Sequence, residues 1–215
     1  VRPHLYLLLQ VPVSLAIIAG LPGNAAKLGA LLVLWILTFQ TLTKAEWVLF
    51  AGACGFFSIM NTLSLRQGIF AFTSPDLLGM PAYEFFMWGF YLLHVKRVLR
   101  GPVPHRPPIQ TWLVWILALL YATAFATIAD SNTLLAATGF LLLVGMILFH
   151  ERLDMAYVGY MVLLGAAFEY TGVLSGQWAY PANPPGGVPL WFVTLWGGVG
   201  LFLRRLVLPL LSHRQ

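Results

Sequence analysis

Gly68-Ile-Phe-Ala-Phe72 and Gly79-Met-Pro-Ala-Tyr83, running on through Trp88-Gly89 to Lys96-Arg97, return 108 residues later. They come back as Gly176-Gln-Trp-Ala-Tyr180, Gly187-Val-Pro-Leu-Trp191, Trp196-Gly197 and Arg204-Arg205. Of the thirty aligned positions, 68–97 on 176–205, eight are identical, and several others exchange one aromatic or one base for another. In a chain of 215 residues that offset predicts a duplicated unit, with repeats at 1–107 and 108–215. Other residues keep the spacing. Asn24 falls on Asn132, Lys44 on Arg152 and Glu46 on Asp154.

The material of each repeat is apolar. Sixty per cent of residues are hydrophobic and 9% charged, against about a quarter charged in a soluble domain. A bilayer span needs about 20 mostly apolar residues. Candidate spans are 5–21, 26–42, 47–65 and 80–98, then 110–129, 133–149, 155–173 and 188–208. The expected fold is therefore an all-α integral membrane protein of about eight transmembrane helices, built as two parallel four-helix repeats. With an even number of spans each, the copies share one orientation, as in parallel-repeat transporters. The boundary between them, Arg100 to Pro108, is rich in prolines that cannot continue a helix.

The net charge of +5 could be mistaken for a nucleic-acid signal. In the eight-span arrangement, however, Arg2, Lys44, Lys96, Arg97, Arg100, Arg106, Arg152, Arg204, Arg205 and Arg214 share one side. Only Lys27 and Arg66 fall opposite. That asymmetry places both termini in the cytoplasm and excludes nucleic acid as the partner the charge implies. The first span lacks the cleavage site of a removable signal peptide. A bacterial inner membrane is the expected location.

Ionisable side chains inside a span are expensive and point to function. Glu84, one turn past Pro81, and Glu169, one turn before the outer end of its span, both fall in the outer half of the membrane. The duplication sharpens their meaning. Glu84 corresponds to Phe192, and Glu169 corresponds to Asn61. Residues that maintain a common scaffold should match between copies, whereas these acids have diverged. The structural alternatives are a helix N-terminal acid for Glu84 and interhelical glue for Glu169.

Around them lie the two outer loops, whose aromatics either belt the interface or fold over a shared cavity. Asn61, Tyr83, Phe86, Trp88, Asp130, Trp178, Tyr180, Trp191 and Trp196 are the candidate substrate-binding residues. Asp130 also reads as a helix cap. His94 and His150 fall at cytoplasmic helix ends, and Cys54 is alone, so neither a metal nor a cofactor is expected. No phosphate loop, dinucleotide fingerprint or serine elbow occurs.

Gly79-Met-Pro-Ala-Tyr-Glu-Phe-Phe86 resembles the Pro-x-Glu-Glu-x-x-Phe-Phe signature of integral membrane lycopene cyclases. Glu169 to Tyr180, with Gly187-Val-Pro189, is similar to the Gly-x-Trp-x-Tyr loop before that signature and to a segment of membrane carotenoid hydratases. Tyr83 stands where the first signature glutamate would be, so Glu84 alone carries over. The resemblance, which extends to small membrane terpene cyclases, implies a multi-helix protein whose carboxylates protonate a polyene or epoxide.

The expected function is thus an intramembrane enzyme acting on a hydrophobic isoprenoid-like lipid. Either glutamate could be the acid and the other the base, with aromatic faces supporting a carbocation at about 2 kcal/mol or more per desolvated contact. A small proton-coupled transporter or a lipid-binding membrane subunit is the alternative.

Overall fold

The computed structural model describes residues 2–104, 108–181 and 184–212. Arg106 and Arg214, counted above among the cytoplasmic bases, lie outside them, as does part of the proline-rich boundary. The protein is all-helical, with 77% of residues in helix. Helices α1 (Arg2–Gly20), α2 (Asn24–Phe39) and α3 (Lys44–Arg66) are followed by a two-residue strand, β1 (Ala71–Phe72), and α4 (Glu84–Val98). Helices α5 (Pro108–Thr127), α6 (Ser131–Leu148) and α7 (Arg152–Leu174) lead to β2 (Trp178–Ala179) and α8 (Trp191–Phe202). A π-helical turn, Leu203–Val207, joins α8 to the short α9 (Leu208–Ser212). Five helical stretches are long and apolar enough to cross a membrane: Lys44–Arg66, Gln110–Thr127, Ser131–Leu148, Arg152–Leu174 and Pro185–Ser212. The apolar helices at Leu5–Gly20 and Asn24–Phe39 are shorter.

Two compact units are present. One comprises Val1–Val98 and Ala167–Val188, the other Leu99–Ala166 and Pro189–Gln215. In the first, α3 packs along α4 and α1 packs on α2 and α4. Every residue of α4 from Met87 to Val95 is buried, so this helix forms the unit's core. In the second, α8 packs on α5 and α6, and Val114, Leu117, Phe149, Leu201 and Leu206 cluster between them.

Each unit ties its arginine-bearing helix to an acid at the start of an earlier helix. In the first, Glu46 accepts from Lys96 at 3.1 Å and from Arg97 at 2.9 Å. Thr43 and Glu46 also close a capping box on α3. In the second, the fully buried Asp154 pairs with Arg204 at 3.2 Å and Arg205 at 2.5 Å, and accepts from the Glu151 backbone N–H at 3.0 Å. These partners stand 108 residues from their counterparts. A charge taken out of water needs such pairing.

The helix ends at Gly68 and Gly176 follow one pattern. Gly68 donates to Leu65 O at 3.0 Å and Ile69 to Ser64 O at 3.1 Å. Gly176 donates to Val173 O at 3.1 Å and Gln177 to Gly172 O at 2.8 Å. Gly68 and Gly176 have φ of 68° and 69°, the left-handed region that a C-terminal helix stop requires. After each stop the chain turns into a strand, and β1 pairs antiparallel with β2 in the register Ala71↔Ala179 and Phe72↔Trp178. Thr73 extends the ladder by donating to Gln177 O at 2.9 Å.

Candidate active site

Glu84 and Glu169 both lie in the first unit. Glu84 is delivered by a tight hairpin. Leu77 bridges to Met80, and Leu78 and Gly79 take φ of 52° and 80° between them. A leucine in that region is strained, at about 1–2 kcal/mol. Asp76 accepts from the Ala82 N–H at 2.8 Å. The span expected from residue 80 therefore begins as helix only at Glu84, because residues 76–83 are spent on this hairpin and on the turn in which Glu84 N–H donates to Pro81 O at 3.0 Å. One carboxylate oxygen of Glu84 accepts from Asn61 Nδ2 at 3.2 Å. Asn61, singled out as the counterpart of Glu169, is thus the partner of the other acid.

Glu169 is held differently. The helix stop at Gly176 sends the chain back along α7, so that Trp178 and Tyr180, two residues apart on one strand face, reach one carboxylate oxygen. Trp178 Nε1 donates to it at 3.1 Å and the Tyr180 hydroxyl at 2.7 Å. The indole N–H is a donor only. Gly172 makes room for this, because a Cβ there would overlap the Trp178 ring.

Rings extend from these acids. Phe72 meets Trp178 edge-on at 5.8 Å, and Phe70 lies 6.1 Å from Tyr180. On α4, Trp88 stacks on Phe57 at 3.9 Å and meets Tyr91 edge-on at 5.6 Å, while Tyr91 lies 4.6 Å from Phe168. Phe86 is partly buried, and its carbonyl accepts from Cys54 Sγ at 3.8 Å.

The structure thus brings Asn61, Tyr83, Glu84, Phe86, Trp88, Glu169, Trp178 and Tyr180 into one unit. Trp191, Trp196 and Asp130 belong to the other. There Trp191 meets Phe125 edge-on at 5.9 Å, and Trp196 covers Gly165. Asp130 caps α6, accepting from the Thr133 hydroxyl at 2.6 Å and its N–H at 2.8 Å. Those hydrogen bonds hold its carboxyl below the usual carboxylate range.

One residue escaped the sequence reading. Lys27, on the first turns of α2, is 4% exposed. Its ammonium donates to Gln177 Oε1 and lies 5.7 Å from the centre of the Tyr83 ring. The available signal was its isolation, as one of two bases opposite the cytoplasmic set. Among the described residues, no three His, Cys, Asp or Glu side chains come together to hold a metal ion.

No protein-family model matches the chain, and no curated protein matches it. Among solved structures, the fold is similar to that of a cross-linked MvINS trimer variant, with a TM-score of 0.59 and 16% identity. The match covers 78% of this chain and 95% of that one. At that identity the likeness is one of fold.

Proposed function

We propose that this chain is an intramembrane enzyme that protonates an isoprenoid-like lipid and resolves the carbocation by cyclisation, isomerisation or hydration. The observation that carries the reading is the unequal treatment of two neighbouring acids. Glu169 accepts two donors on one oxygen, each worth about 1.5–3 kcal/mol to a charged acceptor. Glu84 accepts one amide at 3.2 Å and stands at a helix N-terminus, which adds about 0.3–1 kcal/mol. Two coupled carboxylates in apolar surroundings resist double ionisation. Glu84, the less well held of the two, is therefore assigned as the acid, and Glu169 as the base.

In the reaction, the Glu84 O–H bond breaks and its proton joins one carbon of a substrate double bond, leaving the cation on the other carbon. Trp178, Tyr180, Trp88 and Tyr91 offer π faces to that charge. Glu169 then takes a proton from an adjacent carbon, whose C–H electron pair becomes the new double bond. Transfer of that proton from Glu169 to Glu84 resets the pair. Hydration would end instead on water, with Glu169 taking the water proton.

The architecture belonging to this reading is eight spans in two parallel repeats, 1–107 and 108–215, in a bacterial inner membrane with cytoplasmic termini. The ion pairs at Glu46 and Asp154, the matching helix stops at Gly68 and Gly176, and the pairing of Ala71 with Ala179 support the duplication. The resemblance to lycopene cyclases and carotenoid hydratases supports the chemistry through Glu84.

The test is a Glu84→Gln variant incubated in deuterated water with a panel of prenyl alcohols and polyene hydrocarbons. Carbon-bound deuterium in the product is read by mass spectrometry. Loss of a general acid should lower turnover by about a hundredfold or more. Wild-type incorporation by Glu84→Gln would sink the proposal.

A further inference from the structure

Lys27 is placed at threefold cost. It is 96% buried, as its 4% exposure gives, so it does not snorkel to water. It sits in the first turn of α2, where the helix dipole opposes a cation. Its hydrogen-bond partner is the neutral amide of Gln177, and no carboxylate among the described residues lies within ion-pair distance. Lys96, Arg97, Arg204 and Arg205 all have such a carboxylate. An ammonium carries three donors, and Gln177 takes one.

Beside it lies the Tyr83 ring, 5.7 Å away at its centre. The Tyr83 hydroxyl is buried, with the residue 1% exposed, and no described residue hydrogen-bonds to it. A buried hydroxyl left so costs roughly 1–3 kcal/mol. Both groups border the acids through the chain itself. Tyr83 precedes Glu84, and Gln177, which holds Lys27, precedes Trp178, which holds Glu169.

We propose that Lys27 and Tyr83 form an oxygen-recognition end of the Glu84/Glu169 site, so that its substrate is an oxygenated isoprenoid and not a pure hydrocarbon. The inference rests on the function proposed above and names its substrate class. The spare ammonium donors and the phenol grip a hydroxyl or carbonyl oxygen and set which double bond lies over Glu84. Both groups position the substrate, and the reacting proton stays with the glutamates.

The experiment uses the full chain in lipid nanodiscs, with quenching of tryptophan emission read against geranylgeraniol and against a hydrocarbon of the same carbon skeleton. The wild type should bind the alcohol roughly tenfold more tightly, the worth of one hydrogen bond to a charged donor. Lys27→Met should abolish that preference while keeping affinity for the hydrocarbon. Tyr83→Phe breaks no hydrogen bond to a described residue and should reduce the preference about fivefold. It carries the test alone should Lys27→Met fail to fold. Equal binding of both probes by the wild type overturns oxygen recognition and leaves the proposed acid–base function standing. An undiminished preference in both variants also overturns it. Binding of neither probe overturns that function together with this inference.

Discussion

Replacing Gly172 with alanine inserts one methyl group against the six-membered part of the Trp178 ring. Carbon atoms settle at about 3.5–4.0 Å, so the ring must withdraw by more than about 1 Å. It cannot do so freely. Trp178 is pinned by its hydrogen bond to Glu169 at 3.1 Å, its edge-on contact with Phe72 at 5.8 Å, and its pairing in the β1–β2 ladder. Overpacking of this kind costs about 1–3 kcal/mol, and withdrawal also removes a donor from a charged acceptor. Thermal unfolding in detergent should report a destabilisation of about 2 kcal/mol, accompanied by a shift in tryptophan emission. The decisive measurement is a double-mutant cycle with Trp178→Phe. The smaller ring lacks both the clashing atoms and the N–H, so in that background Gly172→Ala should cost less than about 0.5 kcal/mol. Additive costs in the cycle would refute the reasoning, because they would mean that the methyl group and the ring do not meet.

Two further expectations concern the second unit. Asp154→Ala leaves Arg204 and Arg205 buried at 2% and 4% exposure with one acid fewer, and should destabilise the protein by about 3–5 kcal/mol in chemical denaturation. Arg204 and Arg205 keep Glu151 as a partner, so a loss near zero would mean that Glu151 suffices. The Asp130 cap on α6 should respond to pH with a definite sign. Its folded carboxyl is held below the ordinary value, so the cap contributes fully above the unfolded pKa of about 3.9. It is lost as pH falls through the lowered folded value. Hydrogen exchange at the Thr133 amide should accelerate over that acid window, and a flat profile would contradict it.

Much of this molecule was legible from the cost of burying things. Apolar runs of about twenty residues located the long helices, because a helix satisfies its backbone groups within a single segment. Glu84 and Glu169 stood out for the same reason. What side chains do across space was less legible. Asn61 was marked by its alignment with Glu169, yet its amide points to Glu84, a fact of helix rotation that spacing does not encode. The aromatic alternation of 70–72 and 178–180 was read as a belt or a cover. It is a short ladder, with too few residues for a period of two to stand out. Lys27 was counted only by its side, because topology counting ignores burial. In the last span, residues 188–208 were read as one helix. A π turn at Leu203–Val207 interrupts it, carrying the adjacent Arg204 and Arg205 that pair with Asp154. Two neighbouring bases in a helical pattern give no sign of that extra residue per turn.

The pairing of Ala71 with Ala179 also sets an order of events. Its two strands are 108 residues apart, so closing that loop in a flexible chain costs about 4 kcal/mol beyond a constant. Such a contact rewards the chain only after the rest has formed. While the protein is being made, residues 71–73 wait without partners until residue 179 has emerged, and Lys27 waits for Gln177. The fragment that holds Glu84 therefore cannot complete the site by itself. Under the function proposed above, proton transfer would begin only once Glu169 and Gln177 have joined Glu84.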